Sequence, residues 1–189
     1  QKYNTDRGGY MDMHRTYETV SMVGSFALYT IAFVLTTPFM KIYTAGITDV
    51  AYVDRYLPFL FAFMHLLSSS REASSRVINF AGHFRQMQWR AILESVINLV
   101  ASIILVRMLG IHGVLLGTII AYLYRTNDII IYANRKVLKR SCWATYRLWL
   151  QNMVVFGIVF AVFHFIPLQP TNFAQFFMIG IPVGVFICI

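Results

Sequence analysis

Six apolar stretches fill this chain almost end to end, at about 20–40, 56–81, 91–109, 113–133, 147–167 and 173–189. About 20 apolar residues in a helix cover the roughly 30 Å of bilayer hydrocarbon, so most of these stretches have the length of a membrane crossing. They are rich in Leu, Ile, Val, Phe and Met and lack the strict alternation of a barrel strand, which selects helix. The expected fold is an all-α polytopic membrane bundle of about six transmembrane helices.

Composition excludes an ordinary soluble domain: 58% of residues are hydrophobic and 13% charged, where globular chains carry about a quarter charged. The net charge of +8 does not point to nucleic acid, because the basic residues alternate with the apolar runs and form no single stripe. One set of loops holds Lys2, Arg7 and Arg15, then Arg85 and Arg90, then Arg135, Lys136, Lys139, Arg140 and Arg147. The opposite set holds Lys41, Asp49, Asp54 and Arg55, a border Arg107, and no charge from Pro167 to Phe173. The excess of Lys and Arg on alternate loops places the N-terminal segment, 82–90 and 135–146 in the cytoplasm, with Trp89, Trp143, Tyr146 and Trp149 as interfacial anchors. The chain then divides into a cytoplasmic loop or short helix (1–19), a bundle of four spans (20–134), a basic cytoplasmic loop (135–146) and two further spans (147–189). Starting at Gln1 and stopping inside an apolar run, it reads as a fragment.

Charged side chains inside the spans are the candidate functional residues, since an ion at the bilayer centre costs at least about 2.5–3.5 kcal/mol unless it faces a partner or a wet cavity. In the second span Ser68, Glu72, Ser75, Arg76 and Asn79 recur at three- and four-residue spacing, and Arg71 lies about 100° round the helix from Glu72. Glu72 and Arg76 can pair across one turn, which leaves Arg71 most in need of an outside partner. Such a face is either a self-neutralised brace or a cationic wall for an anionic substrate. The third span carries Glu94, Asn98 and Ser102 in one stripe; Glu94 is either a border carboxylate or an ion-coupling site. In the fourth, Tyr122, Arg125, Thr126, Asn127 and Asp128 interrupt the apolar run. Arg125 and Asp128 can pair, Asp128 is a second possible coupling carboxylate, and Arg125 suits a headgroup contact or an interface anchor.

Other chemistry lacks residues to carry it. Cys142 and Cys188 suggest neither disulfide nor thiolate metal site, and His65, His112 and His164 form no ligand spacing, so neither metal nor cofactor is expected. His14 and His83 are expected to be solvated. There is no phosphate-cradling loop, nucleophile elbow or HExxH helix, and an enzyme is not expected. Gly113-x-x-x-Gly117 with Ala121, and Gly180-x-x-x-Gly184, place small residues one turn apart for close helix packing.

Three stretches carry a resemblance: Phe80-Ala-Gly-His-Phe-Arg-Gln86; Glu94-Ser-Val-Ile-Asn98 and the apolar run after it; and Gly110-Ile-His-Gly-Val-Leu-Leu-Gly117 through Arg125-Thr126. In order and spacing they resemble the C-terminal lobe of bacterial polysaccharide flippases, the lipid-linked oligosaccharide exporters of the multidrug/oligosaccharidyl-lipid/polysaccharide superfamily. The resemblance runs from about Tyr17 to Leu138. It implies half of a two-lobed, multidrug-and-toxin-extruder-like protein of the bacterial cytoplasmic membrane. Such a protein moves undecaprenyl-pyrophosphate-linked sugar units outward, usually driven by H+ or Na+. The first four spans correspond to the later helices of the second lobe, and the last two to extra helices that some members carry. The resemblance also implies that Arg71 lines the substrate cavity, whereas Glu72, Arg76 and Asn79 stand where relatives are less polar; the polar faces of the spans make Glu72, Ser75, Arg76, Asn79, Asn98 and Arg125 the other candidate cavity residues.

Two other functions stay open, beside a purely structural or scaffold membrane protein whose intramembrane charges would be paired and dry. One is a drug or metabolite exporter of the same superfamily, which would favour an acidic cavity. The other is a membrane glycosyltransferase or polysaccharide polymerase, which would need a sizeable extramembrane loop.

Overall fold

The computed structural model describes residues 7–45, 47, 54, 56–165 and 172–188. Lys2, Asp49, Arg55 and Pro167 lie outside these residues, as do the side chains of Arg7, His164 and Cys188. Every element among the described residues is helical: α1 (Arg7–Tyr43), α2 (Leu57–Ser70), α3 (Glu72–Phe80), α4 (Phe84–Leu109), α5 (Ile111–Tyr132), a π-helical turn (Ala133–Val137), α6 (Trp143–Phe165) and α7 (Phe173–Cys188). Four helices are long and apolar enough to cross a membrane, namely Gly8–Tyr43, Phe84–Leu109, Ile111–Val137 and Trp143–Phe163; α7 contributes a shorter apolar helix. The chain is thus a helical bundle with the character of a membrane protein.

The N-terminal segment departs from the expected loop or short helix, because from Arg7 onward it forms the first turns of α1. His14 and Glu18 on those turns are buried, so the helix has a surface to pack before it becomes apolar.

The second apolar run is not one helix. It breaks at Arg71 into a 14-residue and a 9-residue piece. Three serines precede the break, and Ser70 Oγ donates to the Leu66 carbonyl at 2.6 Å, a back-bond that bends helices. The Arg71 N–H then reaches the Ser68 carbonyl at 3.4 Å, one residue short of its helical acceptor. The Leu67 carbonyl, passed over, accepts instead from Thr126 Oγ1 of α5 at 3.0 Å. A buried carbonyl left without a donor is costly, so this hydroxyl is what lets the break persist in an apolar setting.

Helices α4 and α5 form the most closely packed pair. They turn at Gly110, whose φ of 58° with ψ of −134° suits glycine. A Cβ at Gly113 would fall on the backbone of Leu105, and one at Gly117 on Ser102, so both glycines serve the close approach expected of the motif. Gly180 and Gly184 meet only the side-chain ends of Leu35 and Ile31, at ordinary contact distances.

Two apolar clusters seat the bundle. Met22 and Phe26 of α1, Ala62 and Leu66 of α2 and Phe156 of α6 form one. Ile78 of α3, Met87 of α4, Ile129 of α5 and Ala133 of the π-helical turn form the other. The apolar side chains Ile92, Val96, Leu99, Val100, Ile103 and Ile104 of α4 are exposed, as suits a helix facing hydrocarbon or further protein.

Asp54 stands at the start of α2. Its Oδ1 accepts from the N–H groups of Tyr56 and Leu57 at 2.7 and 2.9 Å, and its Oδ2 lies 3.0 Å from His112 Nε2, though off the hydrogen-bonding direction. Desolvation alone would raise the carboxyl, but the Leu57 N–H, the His112 ring and the Tyr56 N–H outweigh it and hold its pKa below the ordinary 3.8. A depressed carboxylate stabilises the fold above its unfolded pKa and loses that contribution as pH falls through the folded value. Asp54→Ala is expected to cost about 1 kcal/mol near neutral pH. The difference from native should shrink as pH falls through the depressed pKa of the folded carboxyl; thermal unfolding followed from neutral into acidic pH checks this.

Candidate functional site: a charged network at a helix break

The break in the second run sets Arg71 between α2 and α3, where its side chain leaves the helix axis and crosses to α4. Arg71 Nη1 donates to Glu94 Oε1 at 2.8 Å, and its guanidinium lies over the Tyr122 ring of α5, 4.6 Å from the centroid. Glu94 is shared. Its Oε2 lies 3.3 Å from Nε of Arg125, which also contacts Asp128 Oδ2 at 3.3 Å. Asp128 in turn accepts from Arg90, whose guanidinium lies over Tyr132 at 4.8 Å. The result is one chain of alternating charge, Arg71–Glu94–Arg125–Asp128–Arg90, running from the helix break through the α4–α5 hairpin.

Three cations against two carboxylates leave this network one positive charge in excess. The Arg125 side chain is 9% exposed, and an ion so enclosed is tolerated only when paired and hydrogen-bonded. Arg71 and Glu94 keep 16% and 18% exposure. Arg71 opens into a pocket of about 290 Å³ that it lines together with Tyr29, Ser68, Ser69, Glu72 and Ser75. Its walls are hydroxyls, a guanidinium and a carboxylate, which suits a polar or anionic group. A larger crevice of about 410 Å³ lies between α1 and α2, among Tyr29, Phe33, Leu57, Phe61 and His65. Tyr29 borders both spaces and stacks on His65 with 4.8 Å between ring centroids.

The structure sorts the candidate residues. It brings Arg71, Glu72 and Ser75 to one pocket. Arg76 takes the expected pair with Glu72 at 2.5 Å, but it is exposed and lies over Tyr17, 5.6 Å away, and Asn79 is also exposed. Neither lines the pocket. Asn98 accepts from Ser102 and Thr118 at 3.0 and 3.3 Å within the hairpin. Arg125 does not line the pocket; it is joined to Arg71 through Glu94. Both candidate coupling carboxylates, Glu94 and Asp128, are held by arginines.

Sequence reasoning missed Arg90, assigned there to loop charge, and the roles of Tyr29 and Tyr122 beside Arg71. The Arg90–Asp128 pair spans 38 residues, so no local spacing announces it. His14, expected to be solvated, is 4% exposed.

No family model matches the chain, and no curated protein or solved structure is detectably similar to it.

Proposed function

We propose that this chain is the C-terminal half of a bacterial polysaccharide flippase, a six-span half of a transporter resembling the multidrug-and-toxin extruders. Its cargo on this reading is an undecaprenyl-pyrophosphate-linked oligosaccharide, carried across the cytoplasmic membrane. The observation that carries the reading is Arg71, a guanidinium at a helix break, beside a hydroxyl-lined pocket and attached to a network with cations in excess. A pyrophosphate-sugar head does not enter hydrocarbon bare. Arginine's planar fork matches phosphate oxygens, and serine hydroxyls replace lost hydration while the lipid tail stays among apolar side chains. Interrupted helices are where transporters build such sites, and rocking of one lobe against the other around the occupied site would complete the cycle. Phosphate oxygens would then take Arg71 in exchange for Glu94. A proton or sodium ion on Glu94 or Asp128 would favour that exchange, and this is the role proposed for a coupling ion.

The test is Arg71→Ala in the intact protein. Surface-polysaccharide export is expected to stop while the protein still inserts and accumulates; normal export overturns the reading. The 2.8 Å pair with Glu94 favours one rival, a structural brace with no cargo. On that view the same variant fails to accumulate, and replacing Arg71 and Glu94 together by Met and Leu restores the protein without affecting export.

A further inference from the structure

A second buried polar cluster lies apart from the Arg71 network and ties the start of α1 to the stretch from Asn134 to Thr145. Glu18 of α1 accepts from Arg140 Nη2 at 2.6 Å on Oε2 and from Thr145 Oγ1 at 2.6 Å on Oε1. Arg140 Nε donates to Asn134 Oδ1 at 2.5 Å, and Asn134 Nδ2 donates to the Ile130 carbonyl at 2.9 Å. Glu18, Asn134 and Thr145 are buried. One carboxylate and one guanidinium thus lock the segment after the π-helical turn, and the first turn of α6, onto the start of α1.

His14 sits one helical turn before Glu18, buried, with Nε2 engaged in no hydrogen bond. The charged groups acting on it are Glu18 of its own helix and Arg140 of the segment before α6; the Tyr10 ring stacks on it, 6.5 Å between centroids. Asp12 and Arg15 of α1 are exposed, and Arg76 of the neighbouring α3 is held by Glu72. Burial and the Arg140 guanidinium disfavour the charged imidazole and Glu18 favours it, so this partnerless nitrogen takes up a proton only at a lower pH than an exposed histidine does.

We propose that His14 and Glu18 form a proton-binding site that controls the Arg140 latch. The proton goes to the His14 imidazole, which becomes a second cation beside Glu18 and repels Arg140. Glu18 then pairs with His14, Arg140 is released, and residues 138–142 detach from α1. Deprotonation restores the latch. This inference does not rest on the transport reading, because its readouts need no cargo.

The chain carries its own probe. Cys142, two residues beyond Arg140, is a half-buried free thiol. In a Cys188→Ser background, its alkylation by a water-soluble maleimide is measured from about pH 8 to about pH 5, reaching below the ordinary titration of histidine because His14 is buried. The His14→Asn chain supplies the baseline for the falling thiolate fraction. Relative to that baseline, native Cys142 is expected to become severalfold more reactive as pH falls. Glu18→Gln, whose latch is already weakened, is expected to react fast throughout. Identical pH courses for native and His14→Asn overturn the proposal. Nitrogen-15 shifts of the native imidazole give a second reading: a His14 titration whose midpoint coincides with Cys142 release supports the site, and one that departs from it overturns it.

Discussion

Glu94→Ala is expected to be the most damaging single substitution in the chain, at about 3–5 kcal/mol, because it takes a carboxylate from two largely enclosed guanidiniums at once. Arg71 loses its only ion-pair partner among the described residues, and Arg125 is left competing with Arg90 for Asp128. Charge bookkeeping fixes the ranking. Removing Glu94 changes the network from three cations on two anions to three on one, whereas Arg125→Met leaves two on two, with Arg71 on Glu94 and Arg90 on Asp128. Arg125→Met should therefore cost distinctly less than Glu94→Ala, and adding it to Glu94→Ala should recover part of the loss. The measurement is the yield and thermal midpoint of detergent-solubilised protein for the two single variants and the double. Equal losses for Glu94→Ala and Arg125→Met, with no recovery in the double, would refute the network as described.

The next largest effect belongs to Gly113. A methyl group there meets the Leu105 carbonyl and comes within 2.7 Å of the Val106 nitrogen, backbone that cannot swing aside. Overpacking of this kind costs about 1–3 kcal/mol when side chains can yield, and Gly113→Ala should reach the upper end or beyond. Gly117→Ala meets Ser102, including its nitrogen at 2.6 Å and its Cα at 2.8 Å, and is expected to follow closely. Gly24 of α1 has nothing within 4 Å of a built Cβ. Gly24→Ala should instead stabilise the helix by about 1 kcal/mol. Thermal midpoints of the three variants test the order, and a neutral Gly113→Ala would mean that α4 and α5 do not approach as closely as described.

How far the sequence discloses this arrangement depends on the range of the interaction. Helix content and the Glu72–Arg76 pair are set within a turn or two, the crossing lengths of α1, α4, α5 and α6 by continuous apolar runs, and the Gly113 and Gly117 contacts across one tight hairpin, and the sequence shows them. That Arg71 needs an outside partner is legible as well, as is a stripe on the next span that includes Glu94. The break at Arg71 was not foreseen, because Ser68, Ser69 and Ser70 are compatible with an unbroken helix and only the hydroxyl from Thr126 decides the matter. Arg90 was hidden by its position, since a loop-border arginine serves topology whether or not it also reaches Asp128. Glu18 and Arg140, 122 residues apart, look like two unrelated solvated charges until the helix pairing is known.

The hydroxyl of Thr126 makes the angle of the broken span a joint property of two helices. To straighten, the segment from Leu57 to Phe80 must return the Leu67 carbonyl to the Arg71 amide, and α5 must then give up its hold on it. Neither helix can change shape alone without orphaning a polar atom in an apolar setting, so any motion that reorients Arg71 draws α5 with it.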